Sequence, residues 1–140
     1  MNENNIGKWH ISTTRIGNTM VHARLGIGAE NSGKLVAKVK NEARRIAREK
    51  EKEIVIVDGS PGIGCPVVSS LSGADFVVLI TEPTLSALHD LKRAYQLVKR
   101  FHLKAGCIIN KSDLNNEVTG AIENYLQKES ILHISSLPYD

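Results

Sequence analysis

From residue 54 onward the chain alternates short β-branched runs with longer stretches whose apolar residues recur every three to four positions. That is the pattern of strands joined by crossover helices. The runs at 54–57 (IVIV), 76–80 (FVVLI), 105–109 (AGCII) and 131–134 (ILHI) read as four successive strands. Their hydrophobicity is continuous rather than alternating, which predicts cover on both faces and parallel strands in the middle of a sheet. Between them, 86–101 carries Leu88, Leu91, Tyr95 and Val98 at helical spacing, and 116–128 carries Val118, Ile122 and Leu126; both are predicted helices. Upstream, the runs 9–13 and 21–25 flank a Gly-Asn turn and predict a hairpin. A basic helix follows, with Leu35, Val36, Val39, Ala43, Ile46 and Ala47 at helical spacing. The expected fold class is α/β, a mostly parallel sheet with helices on both faces. A single domain is expected over 1–140, with 1–8 disordered.

Bulk composition changes this picture little. Apolar residues make up 41% and charged residues 24% of 140 positions, an ordinary globular balance for one domain. No apolar run approaches the roughly 20 residues that span a bilayer, and the opening MNENNIGKWH is polar rather than signal-like. The expectation is a soluble, cytoplasmic protein with no membrane span. Cys65 and Cys107 lack a CxxC partner and read as reduced thiols. The net charge of +3 is concentrated over 34–52, where basic residues alternate with Glu42, Glu49, Glu51 and Glu53. Mixed signs, an Arg45–Glu49 pair at i,i+4 and the absence of interleaved aromatics describe a solvated helix face rather than a nucleic-acid surface.

In open parallel sheets, ligands bind at the carboxyl ends of the strands, so the residues after each run carry the candidate chemistry. After 54–57 comes Asp58-Gly59-Ser60-Pro61-Gly62-Ile63-Gly64-Cys65-Pro66. A carboxylate at the end of a β-branched run has the form of a Walker B aspartate that holds Mg²⁺. The glycines behind it suit a loop whose backbone approaches and senses a γ-phosphate. After 76–80, Thr84 or Ser86 is an expected N-cap and Asp90 with Arg93 an i,i+3 surface pair. After 105–109 comes Asn110-Lys111-Ser112-Asp113. There Asn110 can read a purine edge, the Lys111 stem can lie over the ring, and Asp113 can accept from guanine nitrogens; the structural alternative is an Asx turn followed by an N-cap. The last run leads to Pro138-Tyr139-Asp140, expected on the same side as that base pocket. His10, His22, His89, His102 and His133 show no metal-ligand spacing along the chain.

The stretch Gly28-Ala29-Glu30-Asn31-Ser32-Gly33-Lys34-Leu35 resembles a phosphate-binding P-loop, but Leu35 stands where the Mg²⁺-ligating hydroxyl belongs, and no buried strand precedes it. Together with VDGSPGIGCPV, LITEPTLSALHDLKR, INKSDLN and LPYD, the chain from Ile11 to Asp140 resembles the carboxyl-terminal part of the MinD/ParA/Mrp group of deviant P-loop ATPases. It is most similar to the branch carrying an inserted ferredoxin-like iron-sulfur module. The resemblance implies a P-loop NTPase fold, Rossmann-like and three-layered, lacking here the phosphate-loop strand and helix. It implies ATP and Mg²⁺ as ligands, Asp58 as the Mg²⁺ and catalytic residue, and Gly59, Pro61, Gly62 and Gly64 as the γ-phosphate sensor. Asn110, Lys111, Asp113, Pro138 and Tyr139 would lie on the base side. The iron-sulfur cluster belongs to the family, its ligands being absent here. GAENSGKL becomes the family's helix-entry segment, with Asn31 or Ser32 as N-cap. Because the family's true Walker A lysine and hydroxyl are missing, negligible ATPase activity is expected from this chain alone. An unpaired central strand edge implies pairing with a complementing amino-terminal half or a homodimer. Two other readings stay open at this point: half of a related GTPase, and a non-catalytic interaction module that kept the fold. A Cys65 nucleophile lacks a convincing His and Asp.

Overall fold

The computed structural model describes residues 8–24 and 32–140, which group into two compact units, Met1–Ser70 and Leu71–Asp140. The first opens with an antiparallel hairpin, β1 (Lys8–Thr13) and β2 (Thr19–Arg24). Gly17 N–H donates to the Thr14 carbonyl at 3.0 Å and Thr14 N–H to the Asn18 carbonyl at 2.8 Å. Gly17 sits at φ +81°. This is a three-residue hairpin loop, a tight turn followed by a left-handed residue, and glycine fills that position without Cβ strain. Of the expected disordered start, Lys8 belongs to β1, and 1–7 lie outside the described residues.

α1 (Ser32–Glu49) packs on β2. Ser32, Gly33, Lys34 and Leu35 form its first turn, so this half of GAENSGKL is helix; 28–31, including the Asn31 cap, lie outside the described residues. A Cβ on Gly33 would stand 3.1 Å from Ser69 Oγ and 3.4 Å from the Cys65 carbonyl, so glycine here admits the short helix α2 (Cys65–Leu71). Lys40, buried on α1, donates to the carbonyls of Ser69 and, at 3.0 Å, Ser70. A cation there complements the carboxyl end of α2, and burial lowers the Lys40 pKa below its ordinary value. Arg45 bridges Glu42 and Glu49 on the exposed side, as the i,i+4 expectation had it.

One expectation fails in this unit. Residues 54–57 form no strand: Ile54 and Ile56 are 76% and 91% exposed, and no strand among the described residues pairs with them. Four β-branched residues supply the propensity, but a strand exists only through its neighbour's ladder. α2, for which the sequence carried no expectation, begins directly after Gly64, with Val67 and Val68 N–H donating to the Gly64 carbonyl.

The second unit holds β3 (Phe76–Thr81), α3 (Leu85–Arg100), β4 (Lys104–Asn110), α4 (Asn116–Lys128) and β5 (Leu132–Leu137). The three strands are parallel in the order β3-β4-β5, with a bulge opposite Cys107 and Ile108. Thr84 caps α3 by accepting from Ala87 N–H, and Asn115 caps α4 by accepting from Val118 N–H. Both helices end alike: Leu103 N–H reaches the Val98 carbonyl and Ile131 N–H the Leu126 carbonyl, with His102 and Ser130 in the left-handed region. This 6→1 closure satisfies the last carbonyls.

The core is Leu91, Cys107, Ile109, Val118, Ile122, Leu126 and Ile131, with Leu79, Leu88, Tyr95, Ala105 and Tyr125 packed against it. Every strand residue of β3 and β4 in that set lies on one face of the sheet. The opposite face carries Phe76, Val78, Ile80, Leu132 and Ile134, all exposed. The expectation of helices on both faces therefore does not hold within this unit. Right-handed crossovers between strands laid down in one direction put both helices on the same side, and only strands added beyond β3 would recruit helices to the other. The expected boundaries of β3 and β4 hold within one residue, whereas the last strand, expected over 131–134, begins one residue later and runs three residues further, to Leu137, and Ile131 joins the core just before it. Mixed α/β architecture with a helix-flanked three-stranded parallel sheet is thus established. No helix among the described residues is long and apolar enough to cross a membrane.

Candidate functional site

The carboxyl ends of β3, β4 and β5 bring together residues distant in sequence. β4 runs into Asn110, and the next residue, Lys111, adopts φ +54°. The other left-handed non-glycine residues, Glu51, His102 and Ser130, each follow a helix end. Lys111 follows a strand, where no helix closure accounts for the strained backbone, and such outliers gather at ligand sites. Its ammonium lies 5.7 Å from the Tyr139 ring centre and 3.6 Å from Glu82, just beyond β3. Ser112 N–H donates to the Leu137 carbonyl at 2.9 Å, and the Ser112 carbonyl accepts from Thr119 Oγ1 at 2.7 Å. Together these tie the loop to β5 and to α4.

Asp113 has a specific partner. Its Oδ1 accepts the backbone N–H of Tyr139 at 2.7 Å. The carboxylate expected to read a base edge thus holds the segment that follows β5, while Asn115, two residues on, supplies the N-cap. Of the sequence-selected residues, Asn110, Lys111, Asp113, Pro138 and Tyr139 all belong to this strand-end cluster. Glu82 completes it and had not been singled out; its acidic charge directly after a strand was the available signal. Tyr139 is 60% exposed, so the ring offers a free face.

The remaining sequence-selected residues belong to the first unit. Asp58, Gly59, Pro61, Gly62 and Gly64 are exposed and lie in irregular backbone, with Gly62 at φ +92° and open space where Cβ atoms on Gly59 and Gly62 would stand. Among the described residues no group of three or more His, Cys, Asp or Glu side chains converges as a metal site. The Cys65 thiol is exposed and that of Cys107 is buried, and burial pushes the latter up to about 11. Two thiols, one of them inaccessible, do not supply the four thiolates that iron-sulfur clusters take. The chain's own residues do not fit that cofactor.

What this arrangement defines as a class is an α/β protein with a polar, partly aromatic cluster at the strand ends of a parallel sheet, the usual place for a ligand in such folds. The chain is similar to two proteins of Methanocaldococcus jannaschii. Uncharacterized protein MJ0578 is 32% identical over 101 residues, which is 72% of this chain and 35% of the relative. Uncharacterized protein MJ0579 is 30% identical over 122 residues, 79% of this chain and 45% of the relative. The chain therefore spans less than half the length of these relatives. No family model matches the chain, and no solved structure matches it.

Proposed function

We propose that this chain is the base-side, carboxyl-terminal portion of a nucleotide-binding domain of the MinD/ParA/Mrp type, a P-loop NTPase fold whose parent binds ATP with Mg²⁺. The observation that carries this reading is the strand-end cluster, in which Asn110 and the strained Lys111 adjoin a Tyr139 segment pinned by Asp113. In this reading Asn110 contacts the base edge, and the Lys111 stem and Tyr139 ring supply apolar surface for its faces. The preference for adenine over guanine rests on the family resemblance, since the Tyr139 N–H engages only one oxygen of the Asp113 carboxylate and leaves acceptor capacity for guanine's nitrogens. Asp58 as the Mg²⁺ residue and 59–64 as the γ-phosphate sensor rest on the family resemblance, as does a link to iron-sulfur handling. Hydrolysis requires the Walker A loop from another polypeptide or a longer chain.

The test is an NMR titration of the whole chain with Mg-ATP and Mg-GTP up to millimolar concentration. ATP is expected to shift the amides of 110–113 and 139, more weakly in Asn110→Ala, with smaller shifts for GTP. Absence of any shift there at millimolar ATP overturns the reading; larger shifts with GTP select the GTPase alternative. A second reading, an interaction module without nucleotide, is favoured by the exposed apolar sheet face at Phe76, Val78 and Ile80. It predicts no nucleotide shifts and a partner polypeptide, or a second copy, protecting that face from hydrogen exchange.

A further inference from the structure

The hairpin of the first unit juxtaposes two imidazoles that their separation in sequence conceals. β1 and β2 pair in a register that sets Lys8 opposite Arg24, His10 opposite His22 and Ser12 opposite Met20. Directly opposed residues of an antiparallel pair project from the same side with Cβ atoms about 4.5–5.5 Å apart. The two histidine rings indeed stand 5.6 Å apart between centres, inclined at 33°. Trp9 projects from the other side of the ribbon by the two-residue alternation, with the Lys38 ammonium of α1 5.8 Å from its ring. The helix-facing side of the hairpin is therefore the Trp9 side, and the histidine pair faces away, with His10 exposed and His22 half-buried.

We propose that His10 and His22 form a two-imidazole site for a first-row transition cation, binding Cu²⁺ more tightly than Zn²⁺. Metal–imidazole bonds are about 2.0–2.1 Å, so one ion bridging the pair requires the rings only to turn toward each other on a ribbon whose register already fixes their bases. Imidazole suits copper, nickel and zinc, and affinity at nitrogen sites rises to a maximum at copper. Neither histidine needs to leave a structural hydrogen bond that the described hairpin records, and water completes the coordination on the open side. The Lys8–Arg24 pair one step along the same face is the opposing influence, and its exposure leaves it screened by solvent and salt. This site is independent of any nucleotide-binding role.

Trp9, the chain's single tryptophan, adjoins His10 and serves as an intrinsic reporter, because bound Cu²⁺ quenches indole emission nearby. The experiment titrates the full chain, in a Cys65→Ser background that removes the exposed thiol, with CuCl₂ and separately with ZnCl₂ as competitor. The expected result is quenching that saturates at one equivalent. His10→Ala and His22→Ala should each weaken it by at least about tenfold, since losing even an outer-shell partner of a metal ligand costs about that much. His10→Gln and His22→Gln keep a polar side chain on the strand and should give the same loss, and an unchanged metal-free Trp9 emission maximum shows that the hairpin still packs. Wild-type affinity in all four variants, or quenching that never saturates, overturns the proposal. So does Zn²⁺ displacing Cu²⁺ at equal concentration.

Discussion

Ile122 is the sharpest test of the packing that holds the strand-end cluster in place. It is 0% exposed on α4 and lies in a core with Leu91, Cys107, Ile109, Val118, Leu126 and Ile131. Truncation to Ala deletes three carbons, which at about 0.8 kcal/mol each lose roughly 2.4 kcal/mol of transfer free energy. The unfilled cavity adds more, and buried Ile→Ala changes cost about 2–5 kcal/mol in all. A value of about 3–4 kcal/mol is expected, whereas Ile122→Val, which deletes one carbon, should cost about 1 kcal/mol. The second unit spans residues 71–140, and at about 0.05–0.15 kcal/mol per residue its total stability is on the order of 4–10 kcal/mol. Ile122→Ala should therefore remove a third or more of it. All three tyrosines, Tyr95, Tyr125 and Tyr139, belong to this unit, so near-ultraviolet tyrosine dichroism in urea follows it selectively. A fall in the midpoint of about 1–3 M at unchanged slope is the expected outcome. A loss below about 1 kcal/mol for the alanine variant, or equal losses for valine and alanine, would refute close packing around Ile122 and with it the placement of α4 on the sheet.

Other expectations follow from single contacts. Asn115→Ala removes the cap on Val118 N–H and should cost about 1 kcal/mol in the same urea assay. Asp113→Ala frees the Tyr139 amide; losing a hydrogen bond worth about 1 kcal/mol should speed exchange of that one amide severalfold while leaving α3 amides unchanged. A thiol reagent should titrate Cys65 alone in the native chain and both cysteines in urea, because Cys107 is fully buried. Burial raises the Cys107 thiol from 9.0 to about 11 and the Tyr125 hydroxyl from 10.0 to about 12. The unfolded chain therefore loses these protons first, and stability should fall as pH rises from about 9 through 12, with a smaller fall in Cys107→Ala.

The parts of the fold that were legible in the sequence are those whose signal is local. FVVLIT, the Leu88-Leu91-Tyr95 stripe and the Val118-Ile122-Leu126 stripe each carry their own periodicity, and each appears as β3, α3 or α4. Residues 54–57 carry an equally strong strand signal and form no strand, since pairing depends on a neighbour that propensity does not encode. α2 was hidden because Val67 and Val68 favour strands and the helix spans only seven residues; Pro66 in its first turn, a favoured place for proline at helix starts, was the overlooked cue. At the strand ends, Asn110, Lys111 and Asp113 were readable as a cluster from their position alone. The partner of Asp113 was not, because it is a main-chain N–H that any residue at 139 would offer. The His10–His22 pair was likewise invisible until the hairpin fixed its register.

The strands of the parallel sheet lie side by side in the order in which they are synthesised, β3, then β4, then β5. Each crossover closes over one helix, so the loop-closure entropy of every step is small and independent of what comes later. Pairing of β3 with β4 thus does not depend on β5, and the face that this first pair presents already carries Phe76, Val78 and Ile80 uncovered.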